Sequence, residues 1–169
     1  MENQPRQPAT ALNQDDLRHF LLSHLHRIYC AKTQLVEKLP LLEKISHFLD
    51  LKQAIAETTE AVRMQIMRMK EIYIAMDAWY HPESCTGLLG LLDEAFQSTG
   101  VAGDSPALRD MSVLFYMYNI ESIETASFKT MLLVADGLGL PEVSQLLLEC
   151  YDDACEDKAL FHEITAHYL

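Results

Sequence analysis

Apolar side chains recur along most of the chain at alternating intervals of four and three residues, a spacing that places them on one face of an α-helix. No strand pattern competes with this spacing, so every predicted element is helical. Asn13 and Ser105 are candidate N-caps, and Pro106 and Pro141 suit the first turn of a helix. Pro40 lies inside the first apolar segment and predicts a kink or break there. The pattern predicts helices over residues 14–48 (bent at Pro40), 50–77, 86–98, 106–136 and 141–167.

Four long amphipathic helices must bury their apolar faces against one another, which predicts an all-α, antiparallel four-helix bundle. The long connection between the second and third long helices contains the short fifth helix and has to cross the bundle, as in ferritin-like folds. Residues 14–169 are therefore expected to form one domain of ordinary size. Residues 1–13 are polar and contain two prolines, so they are expected to form a disordered leader.

The charge balance limits the classes of partner that the chain is expected to bind. The chain has 25 acidic and 13 basic residues, and its net charge is -12. Such a balance argues against nucleic acid, whose phosphates are bound by clustered Lys and Arg. The sequence contains no apolar run long enough for a membrane span and no apolar signal segment, so a cytoplasmic protein is expected. Four cysteines without CxxC spacing are then expected to stay reduced, mostly as small core residues. They are Cys30, Cys85, Cys150 and Cys155.

Polar residues interrupt the apolar faces near the middle of all four long helices. Lys32 lies within the apolar face of the first, and Glu121 within that of the third, with Glu124 one turn later. The second and last long helices contribute Thr59, with Glu60 and Arg63 beside it, and Asp157, with Asp153 at the edge of the face. A carboxylate buried alone is costly, so these charges must be paired, bound to a metal or partly solvated.

Two segments that carry these residues resemble a known family. Residues 28–35, Ile-Tyr-Cys-Ala-Lys-Thr-Gln-Leu, resemble the first-helix signature of the YciE/YciF ferritin-like family, Tyr-Ser-Ala-Glu-Lys-Gln-Leu. Residues 121–130 resemble the family's Glu-His-Tyr-Glu-Ile-Ala-x-Tyr-Gly-Thr, and the order of elements agrees over residues 14–168. The resemblance implies a four-helix bundle, often dimeric, with a di-iron-type centre and a link to stress responses.

The ligand set that the resemblance implies is only partly present. Such a centre uses a Glu from each of two helices and a Glu-x-x-His from each of the other two, and no Glu-x-x-His occurs in this chain. Lys32 replaces the first-helix Glu, Arg63 stands where some relatives have His, and Lys158 replaces an acidic residue. The acidic residues that remain in the implied site are Glu60, Glu121, Glu124 and Asp153.

Two hypotheses follow from this set of charges. In the favoured one, an internal salt-bridge network of Lys32, Arg63, Lys158 and carboxylates such as Glu121 has replaced the metal, since an ammonium repels a divalent cation. The chain would then be a stress-associated binding or structural protein with no cofactor and no catalytic residue. In the alternative, a weakened site binds iron or manganese, and the chain is a ferroxidase or peroxide-detoxifying protein. That site would use Glu60, Glu121, Glu124 and Asp153.

The expected partners are proteins. The family implies a homodimer, and Met64 and Met67 lie off the apolar stripe of their helix, where they could form the contact. The sequence is also compatible with a further, unidentified protein partner. Neither nucleic acid nor a membrane is expected as a partner.

Overall fold

The computed structural model describes residues 12–82, 84–101 and 105–169, without the side chains of residues 99–101. The predicted leader therefore lies almost entirely outside the described residues. The helices are α1 (Gln14–Ile45), α2 (Leu49–Ala75), α3 (Thr86–Val101), α4 (Pro106–Gly137) and α5 (Pro141–His167). No strand occurs within the described ranges, and the predicted all-α, ferritin-like bundle is confirmed.

The helix starts that were predicted from capping residues are also confirmed. The Asn13 side chain accepts a hydrogen bond from the Asp16 backbone N–H at 2.9 Å, and the Asp16 carboxylate accepts one from the Asn13 N–H at 3.2 Å. This reciprocal pair forms a capping box at the start of α1. At the start of α4, the Ser105 hydroxyl accepts a hydrogen bond from the Leu108 N–H at 3.4 Å.

Of the kink or break predicted at Pro40, the break does not occur, because α1 continues as one helix through the proline to Ile45, as the predicted range 14–48 requires. A proline inside a helix removes one backbone hydrogen bond. Leu39 and Leu42, on either side of it, are fully buried. We attribute the continuity of α1 to this burial, which offsets the lost hydrogen bond.

Contacts at one end of the bundle show where four helices begin or end. The backbone N–H groups of His47 and Phe48, between α1 and α2, donate to the carboxylate of Asp110 near the start of α4. Tyr168, which follows α5, stacks on Phe48 with ring centroids 3.7 Å apart. The end of α1, the starts of α2 and α4, and the end of α5 therefore lie together.

The opposite end of the bundle brings together the remaining termini. The Arg18 guanidinium, near the start of α1, donates to the backbone carbonyl of Met76 after α2. The Gln14 side chain donates to the carbonyl of Gly137, the last residue of α4, at 3.5 Å. Helices α1 and α5 thus run in one direction and α2 and α4 in the other. Helix α3 packs against α1 and α4 and returns the chain along the bundle.

Candidate functional site

The four long helices bury charged side chains against one another in the middle of the bundle. Lys32 of α1 and Glu124 of α4 are 0% exposed, Glu121 of α4 is 1% exposed, and Asp157 of α5 is 9% exposed. We call these four residues the central charge cluster. Helix α2 contributes hydroxyl and amide groups at this level, since Thr58, Thr59 and Gln65 are all buried.

Apolar neighbours on the same helical faces carry these charges into the core. Lys32 lies one turn from the buried Ile28 and Leu35, so the packing of α1 cannot turn its side chain to solvent. Glu121 and Glu124 are three residues apart on α4 and share its inward face, which continues to the fully buried Phe128. The two carboxylates therefore enter the core side by side.

Lys32 and Glu124 form a fully buried ion pair. The Lys32 ammonium also lies 5.7 Å from the centre of the Phe128 ring, within the range of a cation–π contact. Burial by itself lowers the pKa of Lys32, but the charges of Glu124 and Glu121 outweigh burial and raise the pKa above its ordinary value. Lys32 is therefore a permanent cation in this core.

The other two carboxyl groups of the cluster resist ionisation. Burial, followed by the charge of Glu124, raises the pKa of Glu121 well above its ordinary value, although Lys32 opposes the shift. Burial raises the pKa of Asp157 to about 6, against the opposing effects of the Thr58 hydroxyl and Lys32. One ammonium thus faces three carboxyl groups, and the low polarity of the core favours the neutral form of Glu121.

Several oxygen atoms in this region have no hydrogen-bond donor within the described residues. They are Glu121 Oε2, Glu124 Oε1 and Gln65 Oε1. A buried acceptor without a donor costs free energy, so the cluster is polar but incompletely satisfied. A proton on a carboxyl group would supply a donor here.

Two of the carboxylates expected in the site lie elsewhere. Glu60 is 70% exposed and pairs with Arg63, which is 49% exposed, one turn later on α2. Asp153 accepts a hydrogen bond from Arg68 at 2.6 Å, on the partly exposed seam between α2 and α5. The expectation that Arg63 belongs to an internal network is therefore wrong, because this surface of α2 faces solvent.

The expectation for Lys158 is also corrected. Its side chain is half-buried and forms no ion pair with any residue in the described ranges. Asp157, its neighbour in the chain, is the α5 residue that faces the core, since a helix turns by about 100° per residue. Met64 and Met67 lie on the surface, off the core stripe.

Sequence reasoning missed three polar residues that organise the bundle. Arg68 bridges Asp153 and Glu149, at 2.6 Å and 2.9 Å, and joins α2 to α5. Asp110 is buried and caps the start of α2 from α4, while Gln65 donates to the Cys150 carbonyl at 3.4 Å. Each of these residues contacts a partner that lies far away in the sequence, so the periodicity of a single helix could not predict the contacts.

The expectation that all cysteines are reduced core residues is wrong for one pair. Cys30 of α1 and Cys85, just before α3, form a disulfide across 55 residues of sequence. Cys150 is buried as expected, and burial raises the pKa of its thiol to about 12, which keeps it protonated and unreactive. Cys155 is a half-buried free thiol.

The residues present do not fit the two-metal centre that the family resemblance implies. Of the four expected ligands, only Glu121 and Glu124 reach the core, and Lys32 already occupies one oxygen of Glu124. Glu60 and Asp153 pair with arginines outside the core. No group of three or more His, Cys, Asp or Glu side chains in the described ranges is arranged to hold a metal ion.

Comparisons with known proteins give a family and a fold. The family described as "Domain of unknown function (DUF892)" matches residues 16–167. No curated protein matches the chain. None of the helices in the described ranges combines the length and apolar character that crossing a membrane requires.

Three solved structures share the fold. The stress protein YciF of E. coli has 21% identity and a TM-score of 0.85, over 90% of this chain and 96% of that chain. YcfI of Rhodopseudomonas palustris, described as a candidate structural protein, has 20% identity and a TM-score of 0.82, with 93% and 98% covered. A protein of Xanthomonas campestris pv. campestris has 16% identity and a TM-score of 0.69, with 89% and 92% covered. The resemblance found in the motifs is confirmed by these matches together.

Proposed function

We propose that this chain, which belongs to the DUF892 family, is a stress-associated structural protein in which a buried ion pair takes the place of a metal centre. The similarity to a stress protein and to a candidate structural protein supports the general class. The chain would act through its stable fold and its surface, with no redox reaction in the core.

One observation carries the proposal: the fully buried Lys32 pairs with Glu124 where a metal ligand would be needed. A divalent cation beside this ammonium would meet direct electrostatic repulsion at low dielectric. Removing the proton from Lys32 would not be favourable either, because the neighbouring carboxylates raise its pKa. A metal ion would therefore have to compete for the carboxylate with an ammonium group that is part of the chain and stays charged.

Elemental analysis tests the proposal directly. The wild-type protein, Lys32→Glu and Arg63→Glu are each purified after incubation with Fe(II) or Mn(II), and the metal retained per chain is measured. We expect the wild type to retain much less than one metal per chain. Lys32→Glu removes the repelling cation and adds a carboxylate to the cluster, so we expect it to retain more metal.

Arg63→Glu is the matched control, because it makes the same change of charge in the exposed pair with Glu60. We expect it to retain no more metal than the wild type. Stoichiometric iron or manganese in the wild type would contradict the proposal, and this measurement does not depend on whether Lys32→Glu folds. Equal metal retention by both variants would also contradict it, because net charge alone would then explain the binding.

A further inference from the structure

A cavity with aromatic walls lies at the end of the bundle where α2 stops. Its volume is about 360 Å³, at the small end of the range for ligand pockets. It is lined by residues of α1, α2 and the connector that follows α2. Its aromatic and charged lining residues are Tyr29, Lys70, Tyr73, Asp77, Trp79 and Tyr80, and we call this space the aromatic cavity.

Three tyrosine rings from different parts of the fold surround the aromatic cavity. The ring centroids of Tyr29 and Tyr80 are 4.7 Å apart, and those of Tyr29 and Tyr73 are 5.8 Å apart. Trp79 beside them is 81% exposed, although tryptophan is a residue that folding normally buries. Aromatic faces attract cations through the ring quadrupole.

The connector that forms one wall is fixed to the body of the bundle. The disulfide between Cys30 and Cys85 ties its far end to α1. The backbone N–H of His81 donates to Nδ1 of the buried His26 at 3.4 Å, and the Tyr73 hydroxyl contacts the same nitrogen at 2.8 Å. A ligand would therefore meet walls that are already ordered, which reduces the entropy cost of binding.

Asp77 is placed where an acidic residue destabilises the fold. Its φ of 46° is left-handed, and it occupies the position after the α2 C-cap that usually requires glycine. The surrounding motif is complete, with the Asp77 N–H donating to the Ile74 carbonyl at 3.0 Å and the Ala78 N–H to the Tyr73 carbonyl at 2.9 Å. A carboxylate here also faces the negative end of the helix dipole.

No contact inside the described parts of the chain compensates for this placement. The Asp77 carboxylate makes no ion pair or hydrogen bond with a described residue, and neither does the Lys70 ammonium two turns earlier on α2. The aromatic cavity thus presents π faces, one unpaired anion and one unpaired cation. An external ligand with both charges would complement all three features.

We propose that the aromatic cavity binds a small zwitterion, with its alkylated ammonium group against the aromatic rings and Asp77 and its anionic group toward Lys70. An alkylated ammonium fits better than a primary one. A primary ammonium needs three hydrogen-bond acceptors, whereas an alkylated one presents methyl groups that need none and pack against aromatic faces. The volume of the cavity restricts the ligand to a few heavy atoms beyond the charged groups.

Three probes of nearly equal size test this assignment through the fluorescence of Trp79, the single tryptophan of the chain. Trimethylglycine carries both charges, choline lacks the anion, and tert-butylacetate replaces the cationic nitrogen by carbon. Each is titrated at ionic strength matched with NaCl. We expect a saturable change with trimethylglycine, and binding at least about tenfold weaker with each of the other two.

Variants assign the two charges. Asp77→Asn should weaken trimethylglycine binding by about tenfold, and Lys70→Met should remove its advantage over choline. Asp152→Asn on the exposed face of α5 is the matched control and should change nothing. The proposal is overturned if trimethylglycine gives no saturable change. It is also overturned if choline or tert-butylacetate binds as tightly as trimethylglycine.

Discussion

In the middle of the bundle, Lys32 and Glu124 are fully buried and pair with each other. At the end of α2, Asp77 and Lys70 lie in the open beside aromatic rings and pair with no described residue. The two regions contain the same kinds of charged group. They differ in whether the fold itself supplies the counter-charge.

This difference follows from the cost of desolvation. A charge that leaves water must find a partner within the protein, so charges in the central charge cluster are committed to one another. A charge at the surface stays hydrated and keeps its ability to meet a ligand. The middle of the bundle is therefore suited to structure, and the end of α2 is suited to recognition.

The variant with the largest expected effect is Lys32→Met, which replaces the cation by an apolar side chain of similar length. We expect the free energy of unfolding at neutral pH to fall by about 3–5 kcal/mol, because Glu124 is left buried without a partner. Chemical denaturation measures the change. Arg63→Met, in the exposed pair with Glu60, should cost less than about 1 kcal/mol. If the two losses are equal, burial does not distinguish the two ion pairs.

Removing the disulfide tests the claim that the aromatic end is held in place. Cys85→Ser opens a loop of 55 residues, and the chain-entropy relation then predicts a loss of about 4 kcal/mol. Dithiothreitol should lower the unfolding midpoint of the wild type and have no further effect on the variant. Cys155→Ser, at a free thiol, is the control. A wild type that is equally stable with and without the reductant would show that this disulfide does not stabilise the fold.

The helices could be predicted from sequence because their causes are local. The capping box of Asn13, the N-cap of Ser105 and the apolar spacing all act within a few residues. Pro40 is a different case, because proline by itself favours a break, whereas the burial of Leu39 and Leu42 favours the continuous α1 that the structure has. Local signals thus determined the elements, except where the core opposed them.

The candidate site was only partly predictable, for a related reason. Spacing alone placed Lys32 and Glu121 in apolar faces of their helices. It could not decide which way Glu60 turns at the edge of a face, where a rotation of one residue separates core from solvent. The partners Arg68 and Asp153, and the cysteines at 30 and 85, meet only through the tertiary fold. Periodicity carries no information on such contacts.

The variant Asp157→Asn tests the contrast through the pH dependence of the free energy of unfolding. Burial raises the pKa of Asp157 from its ordinary value near 3.8 to about 6. Between these values the folded protein holds a proton that the unfolded chain has released, so rising pH destabilises the fold. The penalty is absent below about pH 4 and complete above about pH 6, where it amounts to about 3 kcal/mol.

The asparagine does not titrate, so the variant should be more stable than the wild type by up to that amount at pH 7. At pH 4 the two proteins should be nearly equal. Denaturation curves across this range measure the difference, and comparing the two proteins cancels the effects of other titrating groups. A difference that does not vary with pH would show that Asp157 ionises as freely as a surface carboxylate.

The smallest effect is expected at Asp77, and its sign is opposite to the one expected for Lys32→Met. Asp77→Gly relieves the left-handed backbone and removes a negative charge from the end of α2, so it should stabilise the protein by about 1 kcal/mol. Asp77→Asn removes the charge alone and should stabilise it less. Lys32 in the central charge cluster behaves in the opposite way, because its replacement should lower the stability.

Thermal or chemical denaturation of the two Asp77 variants, beside the trimethylglycine titration, completes the test. A gain in stability together with a loss of binding would mean that the carboxylate is retained for the ligand at the expense of the fold. If Asp77→Gly is instead less stable than the wild type, the carboxylate supports the end of α2. The contrast between a structural middle and a recognising end would then fail at the residue on which it depends most.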